Sequence, residues 1–503
     1  MHAHHAPHHA LVLNLHQPPG NLEHLLDERT WEAKEILFAL DRMPRSLWGQ
    51  EDLARVHLSL SGTLLETLSS PDFQARVYGI VDCGKLLWFL QNQRLFEVLG
   101  TGFYHPVLPL IPAADRPEHL RRWQGIAGHL FWRSRFEGFW PPEMGFAMEL
   151  IPLLRRFGYR YVLVDSEHVE PVDAMSWQEL RYRPHIARYG DEEIIVVVRD
   201  RELSDAQESG MDPDWFVNEV AERTRWCDFP PLVTTATDGE NGGWFRNVTE
   251  GANFWSAFYL PLLERVRSGD AALRPTFIHD YLNTYGARGE VRVATGAWNT
   301  GWHHGKGFTQ WTGSETQRDV LARYERVSVR LHRWLGRLER PEGASGASAV
   351  GAGAMGHAAA DLVQGGGAPG SASSADPGST PASTSASTPV PEPRPARAPA
   401  AASGGRDDPA IDRSAPSAAT DAEVGQQDLG APGEDLESAP AATVPEGVGD
   451  RLEEAHWHLL RAETSCNIFW GEAWCHRADQ DLEIADYVLD EIDDAVEADV
   501  RAR

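Results

Sequence analysis

From about Leu11 to Asp280, short apolar runs alternate with longer amphipathic segments. The runs LVLNL (11–15), VHLSL (56–60), RYVLV (160–164), EIIVVV (193–198), PLVTTA (231–236) and PTFIHD (275–280) are compact and rich in β-branched or large apolar residues. Bounded by polar or turn residues, they read as strands. Between them, RPEHLRRWQGIAGHLFW (116–132) carries Pro117 near a first turn and apolar residues at helical spacing, and MELIPLLRRFG (148–158) stops at Gly158. Strands alternating with helices predict a parallel sheet, open or closed into a barrel. In a barrel the residues just after each strand converge at one end. His16-Gln17-Pro18, Asp165-Ser166-Glu167-His168, Arg199-Asp200 and Asp238-Gly239-Glu240 all stand in that position.

Beyond the barrel the period changes. Residues 312–339 read as a helix, and helical pattern returns at GDRLEEAHWHLLRAETS and HRADQDLEIADYVLDEIDDAVEADV. The stretch between, 341–447, is mostly Ala, Gly, Ser, Pro and acidic residues, and without apolar periodicity it predicts a disordered insert. The expected organisation is a His-rich disordered tail (1–10), a catalytic barrel (11–285), a first helical part (286–340), the insert, and a second helical part (448–503).

Composition narrows the function. A formal charge of −28 disfavours nucleic acid and anionic membranes, whose phosphates need clustered Lys and Arg, and leaves neutral substrates such as sugars open. The four cysteines (Cys83, Cys227, Cys466, Cys475) are too scattered for a disulfide framework or a zinc site. Cys466 is expected in the core. With no leader pattern and no long apolar run, the expected location is cytoplasmic. The tail MHAHHAPHHA could hold metal loosely but has no fixed geometry for a catalytic ion.

The chemistry centres on Glu143 in GFWPPEMGF and on Asp238 and Glu240 in TTATDGENGGWF. Two carboxylates from two strand ends suit glycosidic cleavage, one attacking or stabilising the oxocarbenium-like centre while the other protonates the leaving oxygen. A gap of about 5–5.5 Å would mean retention and ~6.5–9.5 Å inversion. The pattern does not choose between Asp238 and Glu240, which share a face of an extended segment. Trp140, Trp244, Trp255, Trp298, Trp302 and Trp311 lie near these motifs and offer flat faces for pyranose rings. Trp255 reads as core, whereas Trp302 and Trp311 fall in a glycine-rich loop.

LNLHQPPGNL, SGTLLETL, GTGFYHPVLPLI, GFWPPEMGF, TDGENGGW and AETSCNIFWG resemble, in this order, the sequence blocks of glycoside hydrolase family 57. The resemblance implies retaining enzymes acting on α-glucans or maltooligosaccharides, an incomplete (β/α)7 barrel followed by a helical domain, and catalysis without a metal or other cofactor. It makes Glu143 the nucleophile and Asp238 the general acid/base. It places His16, His105, Asp165, His168 and Arg199 around the sugar, with Trp244 and Trp470 as further contacts; Trp140 and Trp302 are expected to join them from their position beside the motifs. The wording WPPEMGF differs from that of the family's branching enzymes and 4-α-glucanotransferases. Amylase-like hydrolysis, chain transfer and branching therefore stay open, as does a non-catalytic glucan-binding homologue. A metal-dependent polysaccharide deacetylase is disfavoured because no HxxxH pair occurs outside the tail.

Overall fold

The computed structural model describes residues 5–241, 244–246, 248–298, 307–338 and 447–502. The predicted insert up to residue 446, the first residues of the tail and Trp302 lie outside them.

The parallel strands are β1 (His8–Leu15), β2 (Val56–Leu60), β3 (Phe96–Leu99), β4 (Gly138–Phe139), β5 (Tyr161–Asp165), β6 (Glu192–Arg199) and β7 (Leu232–Asp238). They follow one another around a nearly closed barrel of 7 strands in chain order. β1 lies between β2 and β7, in register from His8 opposite Leu232 to Asn14 opposite Asp238. The ring is thinnest in two places. β6 meets β7 through the single pair Arg199–Thr234. β3 reaches β4 through Gly100, whose N–H donates to Gly138 O (2.9 Å) and whose carbonyl accepts from Trp140 N (2.8 Å). A side chain at Gly138 would meet the Tyr161 ring at 2.3 Å, so only glycine lets β4 lie against β5.

The strands are apolar on both faces because both are covered. Leu11, Leu13 and Leu15 face the surrounding helices, while Ala10 and Val12 join Leu163, Val197 and Ala236 inside the barrel. The expected strand at 275–280 is corrected. Only Arg274–Pro275 pairs with β1, and Ile278–Tyr285 is a helix whose Ile278, Tyr281 and Leu282 pack into the barrel interior at helical spacing. The expected tail is also shortened, because β1 begins at His8, whose N–H donates to Pro231 O (2.8 Å), and His9 Nε2 pairs with Thr235 Oγ1 (2.8 Å).

The helix α1 (Arg116–Phe131) follows β3 in the chain. The C-terminal region comprises α2 (Glu315–Leu338), α3 (Val448–Ala462), the short α4 (Ser465–Phe469) and α5 (Glu472–Ala502), with α2, α3 and α5 packed on one another. The start expected for this region, residue 286, falls too early. Residues Val291–Val293 pair with Val169–Pro171 on the barrel, and Trp298 reaches the site described below. Among the described residues no helix is long and apolar enough to cross a membrane.

Candidate active site

Asn14, near the end of β1, is the register partner of Asp238 at the end of β7, so their side chains meet: Asn14 Nδ2 donates to Asp238 Oδ1 at 3.0 Å. Glu143 comes from the turn after β4. Pro141 is extended, and Glu143 (φ 56°) and Met144 (φ 49°) then both take left-handed backbone, held by Met144 N to Pro141 O (2.7 Å) and Gly145 N to Pro142 O (2.8 Å). Such conformations cost non-glycine residues on the order of 1–3 kcal/mol each and gather at functional sites. His105 does the same (φ 57°).

Glu143 is tightly oriented. Trp298 Nε1 donates to Oε2 (3.0 Å), Ser465 Oγ donates to Oε1 (2.9 Å), and His105 Nδ1 stands 3.6 Å from Oε1. The Glu143 carbonyl also accepts from Trp298 N (3.0 Å). Burial raises the Glu143 pKa, and the Trp298 and Ser465 hydrogen bonds oppose that rise by favouring the anion. His105 and His16 stack at 4.0 Å with an interplanar angle of 10°. Burial pushes His105 down to about 3, and burial with His105 as neighbour pushes His16 well below its usual range, which favours the neutral form of both rings.

Burial pushes Asp238 up to about 7; Asn14 opposes the rise, and Glu143 and Glu208 add to it. Glu240 is fully buried, accepts from His16 N (3.0 Å), and is pushed up to about 8 by burial and by Asp238. Glu240 therefore points behind the site and holds the end of β1, whereas Asp238 lines the cleft, which separates the two carboxylates that spacing alone left equivalent.

The cleft, about 550 Å³, is lined by Glu143 and Asp238 together with His16, His105, Glu208, Arg246, Trp298, Cys466, Phe469, Trp470, Trp474 and Arg477. Of the residues expected at the sugar, Glu143, Asp238, His16, His105 and Trp470 come together there. Trp302 lies outside the described residues, and the remaining four of the barrel and Trp244 stand elsewhere. Trp140 is fully buried edge-on to Trp298 (5.3 Å). Arg199 and Asp165 form a buried ion pair (2.7 Å), with the guanidinium 5.7 Å from the Trp298 ring. His168 Nε2 bonds Ala297 O (2.9 Å). These four brace the segment that carries Trp298 instead of facing the cleft. Trp244 packs on Phe254 and Phe258, so close to Gly210 that a side chain there would meet its Nε1 at 2.5 Å. Trp255 and Trp311 are core.

Cys466 corrects its expected place. It is half-buried on the cleft wall, with Sγ 3.5 Å from His16 Nε2. Sequence reasoning missed Asn14, Ser465 and the donor role of Trp298. The Asn14 contact follows from strand register, and Ser465 sits in the block AETSCNIFWG, but it is 322 residues from Glu143.

The family model described as glycosyl hydrolase family 57 matches residues 20–291. An α-amylase of Pyrococcus horikoshii is 29% identical over 192 residues, covering 37% of this chain and 27% of that protein. A 4-α-glucanotransferase of Thermococcus litoralis is 28% identical over 191 residues, covering 37% and 26%. The chain thus spans about a quarter of the length of these relatives. The crystal structure of a GH57-type branching enzyme from Pyrococcus horikoshii superposes with a TM-score of 0.55 at 13% identity, covering 97% of this chain and 88% of that one, a likeness of fold. With more than half of its length matched by the family model, the chain belongs to glycosyl hydrolase family 57.

Proposed function

We propose that this protein cleaves or transfers glucosyl units of α-1,4-glucans through a covalent glycosyl-enzyme, with Glu143 as nucleophile and Asp238 as general acid/base. The observation that carries the reading is the pairing of two unlike carboxyls in one cleft. Glu143 is oriented by two donors that favour its anion, while Asp238 is pushed to about 7 and holds a proton near neutrality. A Glu143 oxygen attacks C1 of the sugar, the glycosidic C1–O bond breaks, and Asp238 gives its proton to the departing oxygen. Water or a sugar hydroxyl then attacks C1, returns a proton to Asp238 and frees Glu143. The exposed Trp470 ring, with Trp474 at 6.4 Å, offers an apolar platform on the cleft wall for a pyranose chain.

Incubation with amylose and with maltooligosaccharides tests this, scoring reducing ends, redistribution of chain length and new α-1,6 links. Glucan cleavage or transfer with the α-configuration retained in the first-formed product is expected. Binding without any product would leave only a glucan-binding protein, and a β-configured product would rule out the covalent route.

Ser465→Ala probes the support of the nucleophile. Losing one hydrogen bond to a charged group, worth about 1.5–3 kcal/mol, should lower kcat/KM roughly 10- to 100-fold. Because the lost donor favours the anion, the Glu143 pKa rises and the acidic limb of the pH profile moves to higher pH. A limb that stays in place would show that Ser465 does not tune Glu143.

A further inference from the structure

Away from the cleft, the helical region meets the barrel through Asp115, His332 and His456. Asp115 is fully buried immediately before α1 and makes no side-chain cap to that helix. Its Oδ1 pairs with Nε2 of His332, on α2, at 2.6 Å, and its Oδ2 is buried without a hydrogen-bond partner. His456, on α3, stands edge-on to His332 with ring centroids 5.8 Å apart, and its Nε2 is likewise buried and unpartnered. One ligand atom from each of the three residues lies within 4.8 Å of the others. Buried polar atoms are normally satisfied, yet Asp115 Oδ2, His456 Nε2 and Oε1 of the neighbouring Glu463, whose carboxyl is pushed up by burial and by Asp115, together lack a positively charged partner.

We propose that Asp115, His332 and His456 bind a divalent transition-metal ion of the zinc type, as a structural clamp between the barrel and the two helices that flank residues 339–446.

The donor set decides the class of ion. Two imidazoles with one carboxylate suit zinc and its neighbours, whereas calcium and magnesium take oxygen ligands. Zinc held tetrahedrally at about 2.0–2.1 Å sets its ligand atoms roughly 3.3 Å apart. The present spacing therefore closes by rotation of the two half-buried imidazoles, with the His332–Asp115 hydrogen bond giving way to the metal. The nearby cation Arg122 does not oppose a dication strongly, because its Nε is paired with Glu118 Oε1 at 2.7 Å. Glu463, fully buried at the end of α3, pairs with His119 of α1 (2.8 Å) and ties the same two elements in a second layer. Ser465, which orients Glu143, lies only two residues further along. A metal ion would thus steady the segment that supports the proposed nucleophile without touching substrate.

The test uses the full chain with His2, His4 and His5 replaced by Ala, so that the His-rich tail does not contribute sites. After chelation, zinc is titrated calorimetrically and the unfolding midpoint is followed with and without zinc. A single equivalent should bind with micromolar or tighter Kd and raise the midpoint by several degrees. His456→Ala is the decisive variant, because His456 Nε2 makes no hydrogen bond and its removal should leave the metal-free fold intact. It should weaken zinc binding at least tenfold and abolish the thermal shift, and His332→Ala should do the same. Undiminished binding in His456→Ala would place the zinc elsewhere. A midpoint that moves with pH but not with zinc would mean that a proton, not a metal ion, occupies the cluster. Either result overturns the proposal.

Discussion

Glu143→Gln should lower glucan cleavage and transfer by about four orders of magnitude or more, the scale seen when a covalent nucleophile is removed. The substitution keeps the shape of the side chain. Its amide oxygen can still accept from one of the two donors now on Glu143, and Ser465, a hydroxyl, can turn to accept from the amide N–H. Stability should therefore survive, with a definite sign against pH. Burial raises the Glu143 pKa, so its contribution to stability is fully present below the ordinary carboxyl value and is lost as pH rises through the folded one. The glutamine variant has no charge to desolvate and should match the parent in acid and equal or exceed it at neutral pH. Activity near the parent's in a correctly folded variant would refute the assignment of Glu143.

Asp238→Asn should reduce kcat/KM on amylose by about 10²- to 10⁴-fold, the usual share of a general acid. Substrates with activated aryl leaving groups should lose less, because they need little protonation to depart. In the parent, the acid must hold its proton, so activity should fall as pH rises past about 7, and that alkaline limb should vanish in the variant. Glu240 next to it is pushed up to about 8 by burial and by the Asp238 charge, so the limb belongs to the pair until a variant separates them. An alkaline limb unchanged in Asp238→Asn would transfer the acid role to Glu240. The stability sign is again fixed by the direction of the shift. Between its ordinary value of 3.8 and about 7, Asp238 binds its proton more tightly folded than unfolded, so its contribution weakens as pH climbs through that window. Asp238→Asn, whose amide oxygen still accepts from Asn14, should therefore melt higher than the parent at pH 8 and show no such gain at pH 4. Differential scanning calorimetry at the two pH values checks this.

The strands that the apolar runs predicted are mostly where local pattern placed them, because a strand buried on both faces must be apolar along its length. PTFIHD misled for a related reason. Ile278, Tyr281 and Leu282 are apolar because they fill the barrel interior, and a short run has the same composition whether it enters the core as a strand or as a helix. Polar residues after strand ends marked the site but not who faces it. Arg199 and Asp165 stand at the ends of neighbouring strands as Asp238 does, yet they pair with each other behind Trp298, since a buried guanidinium is held where a carboxylate can neutralise it.

By itself, the order of residues determined the alternating architecture, the family and the chemically armed turns, since strand period, proline-rich rigidity and block order are local properties of the chain. The family resemblance named Asp238 over Glu240, but only the tertiary structure gave the physical reason, which is what holds each carboxyl and which of them faces the cleft. Asp238 and Glu240 share one face of an extended segment on paper. The register of β1 against β7 sets Asn14 beside Asp238, and the His16 N–H reaches Glu240. Ser465 was equally out of reach of local reasoning. No pattern within a window links it to Glu143, and a hydrogen bond across 322 residues exists only because the helical region folds back over the barrel.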